Sequence, residues 1–154
     1  MKTIIHDLSK EDIINYNFEK DYRIIDSNKC FNSCIGCFSC LIMHPKKCFF
    51  EDEYSNLVES LKKSDELIII SKARYGCLSS SVKRVLERCI SYLLPYFIER
   101  DNMIHLLSRY DKRLIIKSYF YGEVNEIEKK NIESLIKANC ININALDYKV
   151  YYLN

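Results

Sequence analysis

Five short runs rich in β-branched and aromatic residues, "KTIIH", "YRIID", "ELIII", "RLIIKSYFY" and "YKVYYL", punctuate the chain, with segments of helical periodicity between them. A strand that is followed by a helix and then by another strand rejoins its sheet through a right-handed crossover. The expected fold class is therefore α/β, a five-stranded doubly wound parallel sheet with helices on both faces. The helices read as Ser9 to Tyr16, then a face shared by Tyr54, Leu57, Val58 and Leu61. A stripe follows from Val82 through Val85, Leu86, Cys89 and Ile90 to Leu93 and Leu94, and Glu123 to Ala138 is the last. The serines at 79 to 81 are available to cap the stripe and Pro95 is expected to kink or end it. "IERDNMIHLLSRYDK" reads as an irregular connection.

At 154 residues, without an internal repeat, low-complexity tract or linker, the chain is expected to be a single domain over 1–154. Its 48% hydrophobic and 29% charged residues suit a globular protein rather than a disordered one. The formal net charge is only +2, and acids interleave with bases, as in "ERDNMIHLLSRYDKR", so no nucleic-acid partner is expected. No apolar run approaches the roughly 20 residues of a membrane span. The start "MKTIIHDLSKED" has no apolar core for a signal peptide, so a cytoplasmic protein is expected.

In a reducing cytoplasm, clustered cysteines are more often metal ligands or redox groups than disulfides. Five of the eight cysteines fall between Cys30 and Cys48, in a loop at about 28–50. Cys34, Cys37, Cys40 and Cys48 follow C-x2-C-x2-C-x7-C, in which three thiolates at steps of three wrap one face of a site and a fourth arrives from the end of a loop. That is the ligand logic of a four-cysteine iron–sulfur cluster. The same thiolates suit zinc, with His44 as a substitute ligand, and small apolar cysteines can also simply fill a loop. Cys30, Cys34 and Cys37 resemble the C-x3-C-x2-C triad of radical S-adenosylmethionine enzymes, whose glycine-rich cofactor motif has no counterpart here. Cys89 and Cys140 read as core residues, and Cys77 as a thiol exposed to a bound ligand.

Two of the three glycines, Gly76 and Gly122, follow predicted strands, where open parallel sheets bind ligands and where a missing side chain lets a flat ligand approach. Neither a P-loop nor a dinucleotide fingerprint follows the first strand, which argues against nucleoside-triphosphate chemistry. Nor does a Ser/His/Asp arrangement or a metalloprotease helix stand out among the three histidines.

Taken together, "CIGCFSCLIMHPKKC", "DEYSNLVESLKKSDELIII" and "YGCLSSSVKRVLERCI" resemble flavodoxin-like NAD(P)H-dependent FMN oxidoreductases. Iron–sulfur flavoproteins form a subgroup with a closely related cysteine spacing. The resemblance runs from Cys34 to about Gly122. It implies a flavodoxin-like sheet and a bound FMN, with Arg74, Tyr75, Gly76 and Cys77 along the flavin, Ser79 and Ser80 capping the next helix, and Tyr121 and Gly122 as the other wall. Lys83 and Arg88 match a family lysine and arginine that serve helix packing, a subunit contact or the cofactor. The resemblance also implies a nicotinamide or small redox carrier as electron donor, hydride transfer to the flavin, and a homodimer.

Where the family carries a Ser/Thr/Arg-rich phosphate loop, this chain has the shortened "HDLSKEDIINYNF". Only Ser9, Lys10 and the helix N-terminus meet an anion there, and Asp7, Glu11 and Asp12 repel it. Ser9 with Asp12 also reads as a capping box. Two functions follow as expectations. One is an FMN-dependent oxidoreductase or electron-transfer protein with an iron–sulfur cluster. The other is a flavodoxin-like domain that has lost FMN and serves as a metal-stabilised binding or assembly module.

Overall fold

The computed structural model describes residues 1–15, 21–100 and 102–153, with 14 and 15 described by backbone alone. In chain order the elements are β1 (Lys2–His6), α1 (Lys10–Asn15), β2 (Tyr22–Asp26), α2 (Ser39–Ile42), α3 (Leu57–Lys63), β3 (Glu66–Lys72) and α4 (Ser80–Arg88). A 3-10 turn (Cys89–Tyr92) follows, then β4 (Leu93–Arg100), β5 (Met103–Ser108), β6 (Ile115–Tyr121), α5 (Glu126–Asn142) and β7 (Asp147–Leu153). Tyr16, the expected end of the first helix, lies outside the described residues. The five expected strands form one parallel sheet in the order β2-β1-β3-β6-β7.

The register decides which side chains share a face. Ile5 lies opposite Ile25 and Ile69, so these residues point to the same side of the sheet as Leu67, Ile116 and Phe120. There they meet Val58 and Leu61 of α3, Val82 and Val85 of α4, and Ile132 and Ile136 of α5 in one continuous core. Each such buried aliphatic side chain is worth about 1.5–3 kcal/mol of transfer free energy. On the opposite face Ile4 and Ile70 pack with Leu8, just before α1. β1 is covered on both sides and β3 is so at Ile69 and Ile70, where "ELIII" reads as an unbroken apolar run, whereas β6 alternates buried and half-buried residues. The buried hydroxyls of Thr3 and Ser64 satisfy one another at 2.7 Å.

Three expectations need correction. The fourth helix ends at Arg88, not near Pro95, and the 3-10 turn carries the chain into β4. Within "IERDNMIHLLSRYDK" the described residues 98–100 and 103–108 are not irregular: β4 and β5 pair antiparallel, with Phe97 facing Leu106 and Glu99 facing Ile104. Pro95 sits inside β4 at the register irregularity between Leu93 and Phe97, where the missing N–H interrupts little. The last helix starts at Glu126 behind a capping box. Asn125 Oδ1 accepts the N–H groups of Ile127 and Glu128 while the Glu128 carboxylate accepts the Asn125 N–H at 3.0 Å, and this sets the start later than Glu123.

Candidate functional site

At the carboxyl edge of the sheet, Asp7 leaves β1 and turns back over the neighbouring strand. Its carboxylate accepts the Lys72 N–H at 3.0 and 3.1 Å and the Tyr121 hydroxyl at 3.1 Å. Burial, followed by the Asp7 charge, pushes the Tyr121 hydroxyl well above its ordinary pKa. The Ser9 hydroxyl accepts the Asp12 N–H at 3.1 Å and donates to the Asp12 carboxylate at 2.7 Å, so it works as the cap of α1. Lys10 is exposed. Ser9 and Lys10 line a cavity of about 230 Å³ with His6, Ile24, Asp26 and Lys29.

Beyond β3, Arg74 and Cys77 exchange backbone hydrogen bonds at 3.0 and 2.9 Å across a two-residue turn. Tyr75 and Gly76 both take left-handed backbone angles, φ +52 and +71, as a primed hairpin turn requires. Tyr75 at the tip is 96% exposed. Gly76 lies against α5, where an added Cβ would come within 3.0 Å of Asn131 Cβ and 3.2 Å of Glu128 Cα. Ser79 is buried; its N–H donates to Ser71 Oγ at 2.9 Å and its hydroxyl caps α4 by accepting the Val82 N–H. Ser80 and Arg74 are exposed, Cys77 and Tyr121 half-buried. Gly122 stands open, with only the aliphatic stem of Lys72 in van der Waals reach of an added Cβ. Strand ends bring Asp7, Lys72 and Tyr121 together, with Gly122 following directly.

The cysteine loop closes on itself. Cys34, Cys37, Cys40 and Cys48 all line one cavity of about 90 Å³, walled by Phe38, Phe49, Phe50 and Ile90. Gly36 at φ +66 and Phe38 at φ +54 turn the backbone between the first three, and the Cys48 N–H is anchored on the Ser55 carbonyl at 3.0 Å. Burial, and then the neighbouring thiols, push Cys40 up to about 11. Cys30 and His44 are exposed and do not line this cavity, whereas Cys89 and Cys140 are buried in the core.

Among the described residues no set of three His, Cys, Asp or Glu side chains is drawn together tightly enough to hold a metal ion. A zinc ion with bonds of about 2.3 Å demands that closeness.

Arg88, at the end of α4, is buried under this loop. It forms a two-pronged ion pair with Asp52 at 2.8 and 2.9 Å and donates to the Asn32 carbonyl at 2.7 Å. Its electrostatic neighbours include Cys48 and Cys34, and its Nε–H has no partner among the described residues. Asp52 was not legible as a site residue, and Asp7, read as an acid that repels an anion, was not legible as the partner of Lys72 and Tyr121: each is an ordinary acid until the fold brings its partner to it.

No family profile and no curated protein matches the sequence. Solved structures do match in shape. The FMN-dependent NADH-azoreductase from Bacillus anthracis str. Ames Ancestor, in complex with FMN, aligns at TM-score 0.53 and 11% identity over 98% of this chain and 85% of its own. Azoreductase AzrA aligns at TM-score 0.57 and 8% identity over 98% and 86%. The NAD(P)H:quinone oxidoreductase from Methanothermobacter marburgensis aligns at TM-score 0.59 and 10% identity over 99% and 85%. Identities this low speak for the fold: a flavodoxin-like α/β protein with its parallel sheet in the order 2-1-3-4-5 when only the five sheet strands are numbered.

Proposed function

We propose that this chain is an oxidoreductase or electron-transfer protein of the flavodoxin-like fold. An iron–sulfur cluster on Cys34, Cys37, Cys40 and Cys48 is its electron carrier, and a reduced nicotinamide or small redox carrier is its donor. The observation that carries the proposal is the convergence of four thiols on one apolar cavity beside a buried arginine. Such a cluster supplies one-electron transfer. Arg88 would contribute a buried positive charge to it, with Cys34 and Cys48 among its electrostatic neighbours.

The NADH- and NAD(P)H-linked activities named for the structural neighbours favour the same class. That class implies FMN at the carboxyl edge, along Arg74, Tyr75, Gly76, Cys77, Ser79, Tyr121 and Gly122, and a homodimer. The ring end of FMN is compatible with the residues there, since Tyr75 and Gly122 are open. The phosphate end is not: Asp7, Glu11 and Asp12 surround the one turn left to hold it, and Ser9 is engaged with Asp12. A metal-stabilised binding or assembly module without FMN is the second reading, and Asp7 is the observation that favours it.

Protein purified without oxygen separates these readings by its visible spectrum, with iron, sulfide, zinc and FMN quantified on the same sample. Broad visible absorption that bleaches on reduction, with iron and sulfide in equal amounts, is expected. A colourless protein holding zinc would support the module and sink the redox reading.

A further inference from the structure

The β4–β5 hairpin joins neither edge of the five-stranded sheet: its two strands pair only with each other. A two-stranded hairpin by itself is marginally stable in water, so both of its faces need cover. The pairing register puts Ile98 with His105, and Arg100 with Met103, on one face. That face is held on the end of α5, where the Arg100 guanidinium donates to the Ile141 carbonyl and to Asn144 Oδ1, and His105 Nδ1 lies 3.2 Å from Asn142 Oδ1.

The other face carries Phe97 with Leu106, and Glu99 with Ile104. It borders a groove of about 650 Å³ that also takes in Leu86 of α4 and Ile90 just after it. Phe97 is 78% exposed and Ile104 75%. Together with exposed Tyr96 and Ile35 and half-buried Leu86, Ile90 and Leu106, they offer roughly 700 Å² of apolar surface to solvent, taking about 200 Å² for a large side chain. An ordinary monomer's largest apolar patch is about 300–600 Å². Each partner of a stable complex buries about 800 Å², and this surface approaches that.

An apolar wall and an apolar groove side by side on one surface complement each other under a two-fold axis, because the wall of each copy then fills the groove of the other. The groove's lining has no Lys or Arg with which to recognise an acidic or nucleic-acid partner. We infer that this hairpin face is an interface between two copies of the chain, packed hairpin against hairpin with Phe97 and Ile104 of each seated in the groove of the other. Glu99, which lies toward the hairpin tip from Phe97, and exposed Glu87 stay hydrated at the rim. The surface follows the far end of α4 from Gly76 and Ser79, so it is separate from the crevice at the carboxyl edge of the sheet. The inference deepens the homodimer that the proposed class implies by naming where the copies meet, but it rests on this surface and on no metal or flavin. A coloured monomer would overturn it and leave the redox reading standing, and a colourless dimer would do the reverse.

The test is sedimentation velocity of the full chain over about a hundredfold range of concentration, in which a dimer that dissociates on dilution is expected. Phe97→Glu and Ile104→Glu change side chains that a monomer already exposes, and each should weaken the dimer more than about a hundredfold. Ile104→Val should keep it, as should Ile127→Glu at an exposed position of α5. Hydrogen exchange of the wild type provides a readout that needs no variant: amides of β4 and β5 should exchange more slowly as the dimer forms. A monomer at every concentration would overturn the inference. So would a dimer as tight in Phe97→Glu and Ile104→Glu as in the wild type, equal weakening by Ile127→Glu, or hairpin exchange that does not change with concentration.

Discussion

At the scale of single residues, the Arg88–Asp52 pair shows how one side chain fixes a loop to the sheet core. The Arg88 side chain is fully buried and that of Asp52 is 17% exposed, so the two are not equivalent. Asp52→Asn would strand a buried cation and is expected to cost about 3 kcal/mol. Arg88→Met fills similar space and leaves an acid that can rehydrate, so it should cost less; urea unfolding of both variants checks the order. The pair also sets an acid limb. Burial alone would raise the Asp52 pKa, but the Arg88 and Tyr54 hydrogen bonds outweigh it and the net shift is downward. A depressed carboxylate stabilises the fold above its unfolded pKa, about 3.9, and that stability is lost as pH falls through the lower folded value. Wild-type stability should therefore fall below about pH 4 by an amount that Asp52→Asn does not show.

Gly76 makes a sharper point about backbone. An alanine there would face both a left-handed φ and the backbone of α5 at 3.2 Å, which cannot yield as a flexible side chain would. Gly36 has a similar φ of +66 but nothing within 4 Å of an added Cβ. Gly36→Ala should cost about 1 kcal/mol, and Gly76→Ala about 2–3 kcal/mol. Equal shifts in melting temperature for the two variants would mean that the contact with α5 contributes nothing.

At the scale of elements, strands read more reliably than helix ends. "KTIIH" and "YRIID" match β1 and β2 residue for residue: β1 is a buried run, while β2 is an edge strand with Arg23 and Ile24 exposed, marked by its β-branched pair Ile24 and Ile25. The stripe from Val82 to Leu94 could not disclose its own end, since Leu93 and Leu94 keep helical spacing while they belong to a strand. What decides their state is pairing with β5, a contact that local periodicity does not contain. Capping is local, and the α5 box shows its worth: Asn125→Ala removes the acceptor for two N–H groups and should cost about 1 kcal/mol. A helix that unfolds with unchanged midpoint in Asn125→Ala would show that its stability comes from Ile132, Ile136 and Cys140 in the core alone.

At the scale of the whole molecule, the cysteine cavity and the crevice at the carboxyl edge of the sheet differ in how much of them is written locally. The four thiols lie within fifteen residues of one another, so their spacing already encodes one site. The crevice of Asp7, Lys72 and Tyr121 joins residues 65 and 114 positions apart, and no window of sequence shows that an acid fills it. The loop itself carries only one turn of helix, α2, between Cys30 and Cys48, so a bound centre would replace regular structure as its organiser. This yields a pattern of cysteine replacements that core packing alone would not give. Cys37→Ser should remove essentially all iron and visible absorption and destabilise the loop. Cys30→Ser and Cys77→Ser, which lie outside the cavity, should retain both. Iron analysis, visible spectra and thermal unfolding of the three variants measure this directly. If Cys37→Ser and Cys30→Ser are indistinguishable in metal and stability, the converging thiols fill space rather than hold a centre.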